Sequence, residues 1–274
     1  MSATAASLPD GWLVPDWPAP ARVHAAFSNR MGGVSPAPYD SMNLGTHVGD
    51  DAVAVAANRQ RLEQVLGVRP VFMEQVHGMD MLDISPGTPD GACADGCSTA
   101  VSGAACTVMV ADCLPILLCD MSGVRVAALH AGWRGLLGSR RSGHPGQGPF
   151  GVIESALERF WPVENMDTAR AAPEVIAWLG PCIGPKAFEV GDEVRQAFVA
   201  LSADTDACFV PLGGGKWLAD LPALARQRLL AAGVTGIYGN DGSTPWCTVS
   251  NPSRYFSHRR DRVSGRQAAC IWLV

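Results

Sequence analysis

Two apolar runs, separated by a short turn sequence, are flanked by side chains that bind metals or act as nucleophiles. Cys113 begins the first run, which ends at Cys119, and the second run begins at Val124 and leads into His130. The intervening Asp-Met-Ser-Gly has the residue types of a turn, so we predict a β-hairpin with a four-residue loop. In that hairpin Cys119 pairs with Val124, and Cys113 lies opposite His130 with the Cβ atoms about 5 Å apart.

A thiol that faces an imidazole serves one of two chemistries. The pair acts either as a cysteine nucleophile with a histidine base or as two ligands of a metal such as zinc. A buried cysteine packed as a small hydrophobe beside a histidine is the structural alternative. The sequence Gly-Trp-Arg-Gly at 132–135 favours a ligand-binding loop at the open end of the hairpin. Pro115 lacks a backbone N–H, which predicts an edge strand or a bulge.

Short strands and helices in irregular order are predicted around the hairpin. Strands are predicted at 22–28, 70–76, 104–110, 174–179, 236–238 and 268–274, and helices at 50–66, 152–160, 192–201 and 220–232. In the first helix, apolar residues that include Val53 and Ala57 are expected on the buried face. The irregular order, together with one strong hairpin, favours the α+β class.

Composition limits the classes of function. The hydrophobic fraction is 47% and the net charge is −5, without a basic run, so nucleic-acid binding is disfavoured. Nine cysteines without a CxxC pair are typical of reduced thiols in a cytoplasmic protein. We find no signal peptide and no segment that would span a membrane, and no heptad pattern that would favour assembly, so we expect a cytoplasmic monomer.

The chain is predicted to contain one domain. Residues 1–20 are rich in alanine and proline and are predicted to form an N-terminal tail, followed by a single domain over 21–274. The polar segment 139–148 is predicted to be an exposed insertion directly after the Gly-Trp-Arg-Gly sequence.

Several long blocks resemble one known family. They read SNRMGGVS (28–35), SMNLGTHVGDD (41–51), EQVHG (74–78), ADCLPILL (111–118), HAGWRGL (130–136), WLGPCIGPKAFEVGDEV (178–194) and FSHRRDRVSGRQAACIWL (256–273). They are similar to the laccase-domain or multicopper polyphenol oxidase family, now associated with purine nucleoside phosphorylase activity. Some bacterial members are described as a peptidoglycan editing factor.

This resemblance implies a fold and a metal site. The implied fold is a four-layer α/β/β/α sandwich with two mixed β-sheets between helices. The implied metal ligands are His77, Cys113 and His130, and the metal is usually taken to be zinc. Without the resemblance, His77 would be interpreted as a solvated loop residue. His258 stands where many members carry a tyrosine, so its role is open.

The resemblance also implies an activity. Three protein ligands with an open fourth position define a catalytic zinc site, in which bound water has a pKa of about 7. We expect phosphorolysis of adenosine, inosine, guanosine or methylthioadenosine, together with deamination of adenosine. Asp112 is a candidate acid, although neighbouring strand residues point to opposite faces. Arg30 and Arg260 are predicted to bind substrate, because a guanidinium suits phosphate, and Asn43 is predicted to assist.

Three alternatives stay open. One is a hydrolase or amidase that edits peptidoglycan precursors through Cys113 and His130. The second is a copper-dependent polyphenol oxidase, for which six histidines in the whole chain are few, although copper binds strongly to such ligands. The third is a non-catalytic metal-binding or ligand-binding protein.

Overall fold

The computed structural model describes residues 8–139, 150–161 and 174–274. The strands are β1 (Val23–Phe27), β2 (Arg69–Val71), β3 (Met81–Asp83), β4 (Gly96–Thr99), β5 (Ala104–Val110), β6 (Leu114–Asp120), β7 (Val126–Ala131), β8 (Val175–Leu179), β9 (Glu189–Gly191), β10 (Phe209–Gly213), β11 (Lys216–Ala219), β12 (Gly236–Gly239) and β13 (Gln267–Leu273). The helices are α1 (Ala52–Leu66), α2 (Trp133–Leu137), α3 (Val152–Phe160), α4 (Asp192–Val199), α5 (Leu221–Ala231) and α6 (His258–Asp261). The predicted insertion at 139–148 lies, from residue 140 onward, outside the described residues.

Two mixed sheets and one small antiparallel sheet form in the described residues. The first mixed sheet has the strand order β1-β13-β5-β2, and the second has the order β12-β8-β6-β7-β4-β3. In both, antiparallel neighbours occupy the centre and a parallel pair lies at an edge. The third sheet has the order β10-β11-β9. The α+β prediction and the two mixed sheets are confirmed, and the third sheet was not predicted.

Three hydrophobic cores define the layers. Leu117 and Val126 of the second sheet pack against Val108 and Ile271 of the first. The outer face of the second sheet packs against α3 and α5, and the outer face of the first packs against α1. The order of layers is therefore helix, sheet, sheet and helix, as expected.

Helix α1 has the predicted ends and part of the predicted buried face. The Asp51 side chain accepts the Val53 N–H at the N-terminus, and Gly67 ends the helix with φ 66°. Val53 is 75% exposed and Ala57 is exposed, so their predicted burial was wrong. Leu62 and Leu66 are buried as predicted. The buried face also contains Asn58, whose amide nitrogen lies 2.9 Å from both Ser35 Oγ and the Asn43 carbonyl oxygen. The buried face therefore combines apolar side chains with one hydrogen-bonded amide.

The β6–β7 hairpin has a longer loop than predicted. Cys119 pairs with Val126 rather than Val124. The cause is Asp120, whose carboxylate accepts the backbone N–H groups of Val124 and Arg125 at 2.9 and 2.8 Å and so holds both residues in the loop. The register moves by two residues, which preserves the face on which each side chain lies.

Pro115 lies within a central strand, so the prediction of an edge or a bulge was wrong. The Pro115 carbonyl oxygen accepts the Gly180 N–H at 2.9 Å, just beyond the last residue pair between β6 and β8. The Gly180 carbonyl oxygen accepts the Asn240 side-chain amide at 2.9 Å. A side chain therefore supplies a donor where the proline has none.

Both ends of the described chain pack on the first sheet. Strand β13 covers most of the strand predicted at 268–274, and it lies between β1 and β5. Of the predicted tail, residues 1–7 lie outside the described residues. From Leu8 onward the chain packs against the sheet: Trp12 is buried, and Leu13 exchanges both backbone hydrogen bonds with Phe27.

Candidate metal centre

Three side chains with metal-ligating atoms converge at the open end of the β6–β7 hairpin. His77 lies in the loop before β3, Cys113 directly precedes β6, and His130 is in β7. Their ligating atoms all lie within 4.8 Å of one another. With the observed register Cys113 lies beside Gly132 rather than opposite His130. A Cβ atom at Gly132 would lie 2.9 Å from His77 Cδ2 and 3.2 Å from Cys113 Sγ, so only glycine fits there.

Asp95 fixes two of these three residues. The same carboxylate oxygen lies 2.8 Å from His130 Nδ1 and accepts the His77 backbone N–H at 2.8 Å. The other oxygen accepts the Gly78 N–H at 2.6 Å, and the side chain is fully buried. With Nδ1 facing the carboxylate, Nε2 of His130 is left as the ligating atom. Two imidazoles and a thiolate of this arrangement fit zinc.

The electrostatics of the site favour an ionised thiol. Burial opposes ionisation of Cys113, but the charge of His130 and hydrogen bonds from both histidines outweigh it and lower its pKa to about 6. Burial also opposes the charged form of His130, but Cys113 and Asp95 raise its pKa to about 9. Without metal, the pair is therefore a thiolate and an imidazolium at neutral pH.

A cavity of about 470 Å³ opens over these side chains. Four arginines line it: Arg134, Arg259, Arg262 and Arg266. Asp112 is the one acidic residue among its described lining. The cavity is therefore cationic and suits an anionic ligand or substrate. Apolar lining residues, which include Trp133 and Phe188, supply surface suited to the apolar part of a ligand.

Backbone strain coincides with this cavity. In the described ranges, the non-glycine residues with positive φ are His77 (63°), Asp112 (93°) and Arg262 (63°), and all three line the cavity. Such conformations cost about 1–3 kcal/mol each and persist at functional sites. Their position here supports a functional role for the cavity.

Asp112 holds the backbone of the cavity wall. Its two carboxylate oxygens accept the Thr248 hydroxyl and the Arg259 backbone N–H, each at 2.6 Å. Its backbone carbonyl accepts the Ile183 N–H at 2.8 Å. Both oxygens are engaged, which favours a positioning role over the acid role predicted from the sequence.

The structure does not bring the predicted substrate-binding residues to the cavity. The Arg30 guanidinium bonds to the Asp40 and Pro252 carbonyl oxygens. Arg260 donates to the Thr248 and Tyr255 carbonyl oxygens and pairs with Asp261. Both guanidiniums thus hold loops together.

Asn43 is fully buried and also lies outside the cavity lining. Its amide nitrogen donates to an Asp50 carboxylate oxygen at 2.8 Å, and its amide oxygen accepts the Arg266 backbone N–H at 2.9 Å. Asn43 therefore contributes to the cavity through Arg266 rather than by direct contact.

Sequence reasoning missed several residues of the site. Asp95 is adjacent to the ligands only because β4 pairs with β7, and an Asp-Gly dipeptide alone predicts a turn. Arg262 and Arg266 stand in a block that the family resemblance already covered, and that block was the available signal. His258, whose role was open, lines the cavity from α6.

These features define a class: a four-layer α+β protein with a His-Cys-His group that could hold a metal ion, at the base of a cationic cavity. Residues 24–274 match the family described as multi-copper polyphenol oxidoreductase laccase, and the chain belongs to that family. The resemblance found in the sequence is therefore confirmed.

Characterised relatives extend over almost the whole chain. A Pseudomonas aeruginosa protein named purine nucleoside phosphorylase is 46% identical over 265 residues, which cover 96% of this chain and 99% of the relative. An Escherichia coli protein of the same name is 45% identical, with coverage of 96% and 98%. A crystal structure of a Neisseria meningitidis protein has a TM-score of 0.80 at 41% identity and covers 96% of this chain and 99% of its own. Among the described helices, none has the length and hydrophobicity needed to cross a membrane.

Proposed function

We propose that this protein is a metal-dependent purine nucleoside phosphorylase that also deaminates adenosine. The observation that carries the proposal is the three-ligand group at the base of a cavity lined by four arginines. The names of relatives at 46% and 45% identity support the phosphorylase activity. Purine nucleosides and phosphate are the proposed substrates, and adenosine, inosine, guanosine and methylthioadenosine are the proposed nucleosides.

We propose that His77, Cys113 and His130 hold one zinc ion. Their donor types match a three-ligand catalytic zinc site, and Asp95 presets the ring of His130. When bound, zinc would supply a water molecule activated for attack on C6 of adenosine at neutral pH. The thiolate form of Cys113 is favoured before any metal binds.

The remaining cavity residues bind and orient the substrates. Trp133 and Phe188 offer apolar surface to the purine, and the arginines attract phosphate. Asp112 holds the backbone of Arg259, which keeps that wall in place. The nine cysteines all lie in the described ranges and are free thiols, which supports the proposed cytoplasmic location.

The test combines metal analysis with two activity assays. We expect about one zinc per chain, phosphate-dependent release of hypoxanthine from inosine, and phosphate-independent release of ammonia from adenosine. Cys113→Ser should lose metal and both activities together. Cys93→Ser is the matched control, because this thiol is exposed and lies outside the cavity lining.

Other outcomes select the alternatives. Metal-loaded protein that releases no base from any nucleoside overturns the phosphorylase proposal. Copper instead of zinc, with oxidation of phenols, would favour the oxidase named in the family description. Nucleoside binding without turnover would favour a non-catalytic protein.

A second candidate function rests on a specific contact. Cys113, His130 and Asp95 form a thiolate, imidazolium and carboxylate series, with His130 Nδ1 2.8 Å from Asp95. This arrangement suits a hydrolase that edits amide bonds of peptidoglycan precursors. It leaves His77 without a role, which is why the metal-dependent reaction is favoured. Amide hydrolysis that persists after complete chelation of metal would support the hydrolase.

A further inference from the structure

Among the four arginines of the cavity, two lie against aromatic rings. Arg259 donates from Nη1 to the Glu189 carbonyl oxygen at 3.0 Å and lies 5.6 Å from the centre of the Phe188 ring. Arg134 lies 4.5 Å from the centre of the Trp133 ring. Both are oriented by aromatic faces.

Arg266 lines the cavity and has unused hydrogen-bond donors. Nη1 donates to the carbonyl oxygens of Ser264 and Gly265 at 2.8 and 3.1 Å, whereas Nε and Nη2 have no hydrogen-bond partner among the described residues. The side chain is partly buried and is paired with no described carboxylate. Burial of a guanidinium without a counter-ion is unfavourable, so an anion bound there would be stabilised.

The Arg266 side chain is held in position by two residues of the 41–51 block. Asn43 Oδ1 accepts its backbone N–H at 2.9 Å. A Cβ atom at Gly45 would lie 2.8 Å from Arg266 Cγ, so the absence of a side chain at Gly45 lets the stem pack closely. The guanidinium is thus preorganised before a ligand arrives.

Arg262 provides a second unused cation. Its backbone has φ 63° at the end of α6, and its side chain makes no hydrogen bond or ion pair with a described residue. It lines the same cavity as Arg266 and Cys113. Burial lowers the pKa of the Arg266 guanidinium, and the negative charges of Cys113 and Asp112 oppose that shift.

We infer that Arg262 and Arg266 form the phosphate-binding site of this enzyme. The inference rests on the proposed function. In the reaction, an oxygen of hydrogen phosphate forms a bond to the ribosyl C1′ while the C1′–N9 bond breaks. The electron pair of that bond stays on N9 of the purine, which takes up the proton of the phosphate. The products are the free base and ribose 1-phosphate, whose phosphate remains on the same two guanidiniums.

The test uses the full-length, metal-loaded protein and the variants Arg262→Gln and Arg266→Gln. We expect each substitution to raise KM for phosphate at least about tenfold, because a charge-assisted hydrogen bond is lost. KM for inosine should stay within about twofold. Calorimetric titration with inorganic phosphate alone should show a similar increase in Kd. Arg22→Gln is the control, since Arg22 is exposed and lies outside the cavity lining.

The outcomes separate this inference from the proposed function. If the wild type releases base and both variants keep the wild-type KM and Kd for phosphate, the inference is overturned and the phosphorylase stands. If the wild type binds phosphate through these arginines but releases no base, the binding site stands and the proposed function fails. Arg262 is exposed, so its variant stays informative even if Arg266→Gln folds poorly.

Discussion

Asp95 and His130 are joined by two hydrogen bonds: their side chains meet at 2.8 Å, and the His130 backbone N–H donates to the Asp95 carbonyl oxygen at 2.7 Å. The same carboxylate also receives the N–H groups of the loop that carries His77. One buried acid therefore sets the ring of one proposed metal ligand and the backbone of another.

Asp95→Asn should weaken zinc binding by about 10–100-fold, because the amide is a poorer acceptor for both His130 and the loop. Competition with a chromophoric chelator measures the change. Asp16→Asn is the control, since Asp16 is exposed. Unchanged zinc affinity in folded Asp95→Asn protein would remove the positioning role.

Metal binding should release about one proton per zinc at pH 7.5. With pKa values of about 6 for Cys113 and about 9 for His130, the thiol has already lost its proton and the imidazolium has not. Affinity for zinc should therefore rise about tenfold per pH unit between these two values and level off above the higher one. Calorimetry in buffers of different ionisation enthalpy measures the released proton. Zinc affinity that is constant from pH 7 to 8.5 would contradict the assignment of His130 as a ligand.

Gly132→Ala should lose metal while it keeps its fold. The new methyl group would lie 2.9 Å from the His77 ring and 3.2 Å from Cys113 Sγ, which pushes two ligands apart. Gly87→Ala is the matched control, because nothing lies within 4 Å of a Cβ atom there and its φ is not positive. Metal content and circular dichroism of both variants decide the matter. Stoichiometric zinc in Gly132→Ala would show that the ligand group does not need this close approach.

Asn58→Ala should destabilise the protein by about 2–4 kcal/mol, because it leaves buried backbone groups without partners. The lost contacts include the carbonyl oxygen of Asn43 and the N–H of Val34, both at 2.9 Å. Urea unfolding measures the change in the free energy of unfolding. Gln60→Ala, on the exposed side of the same helix, should change it by less than about 0.5 kcal/mol.

The strands and helices could largely be predicted because their signals are local. Strand β5 and helix α3 have the predicted ends, and the Asp51 cap and the Gly67 stop of α1 are visible in the sequence. The hairpin register was missed because the side chain of Asp120 competes for backbone donors that a turn pattern assigns elsewhere.

Some residues of the candidate site could be predicted from local sequence, and others could not because they depend on tertiary contacts. Cys113 and His130 stand at the ends of apolar runs, so their reactive side chains could be identified from the sequence. Asp95 lies beside them only because β4 pairs with β7. Residue type predicted that arginines would bind phosphate, but it could not show which arginines line the cavity. The Arg260 guanidinium donates to backbone carbonyl oxygens, whereas Nε and Nη2 of Arg266 have no partner among the described residues. That difference depends on tertiary contacts alone.

The position of β13 has a consequence for the order in which the molecule forms during translation. Val23, in the first strand, pairs with Leu273, in the last, and β13 is the strand that joins β1 to β5. The first sheet therefore cannot assemble until β13 has emerged from the ribosome. Arg262 and Arg266 emerge immediately before it. A nascent chain therefore carries His77, Cys113 and His130 well before it carries these two arginines.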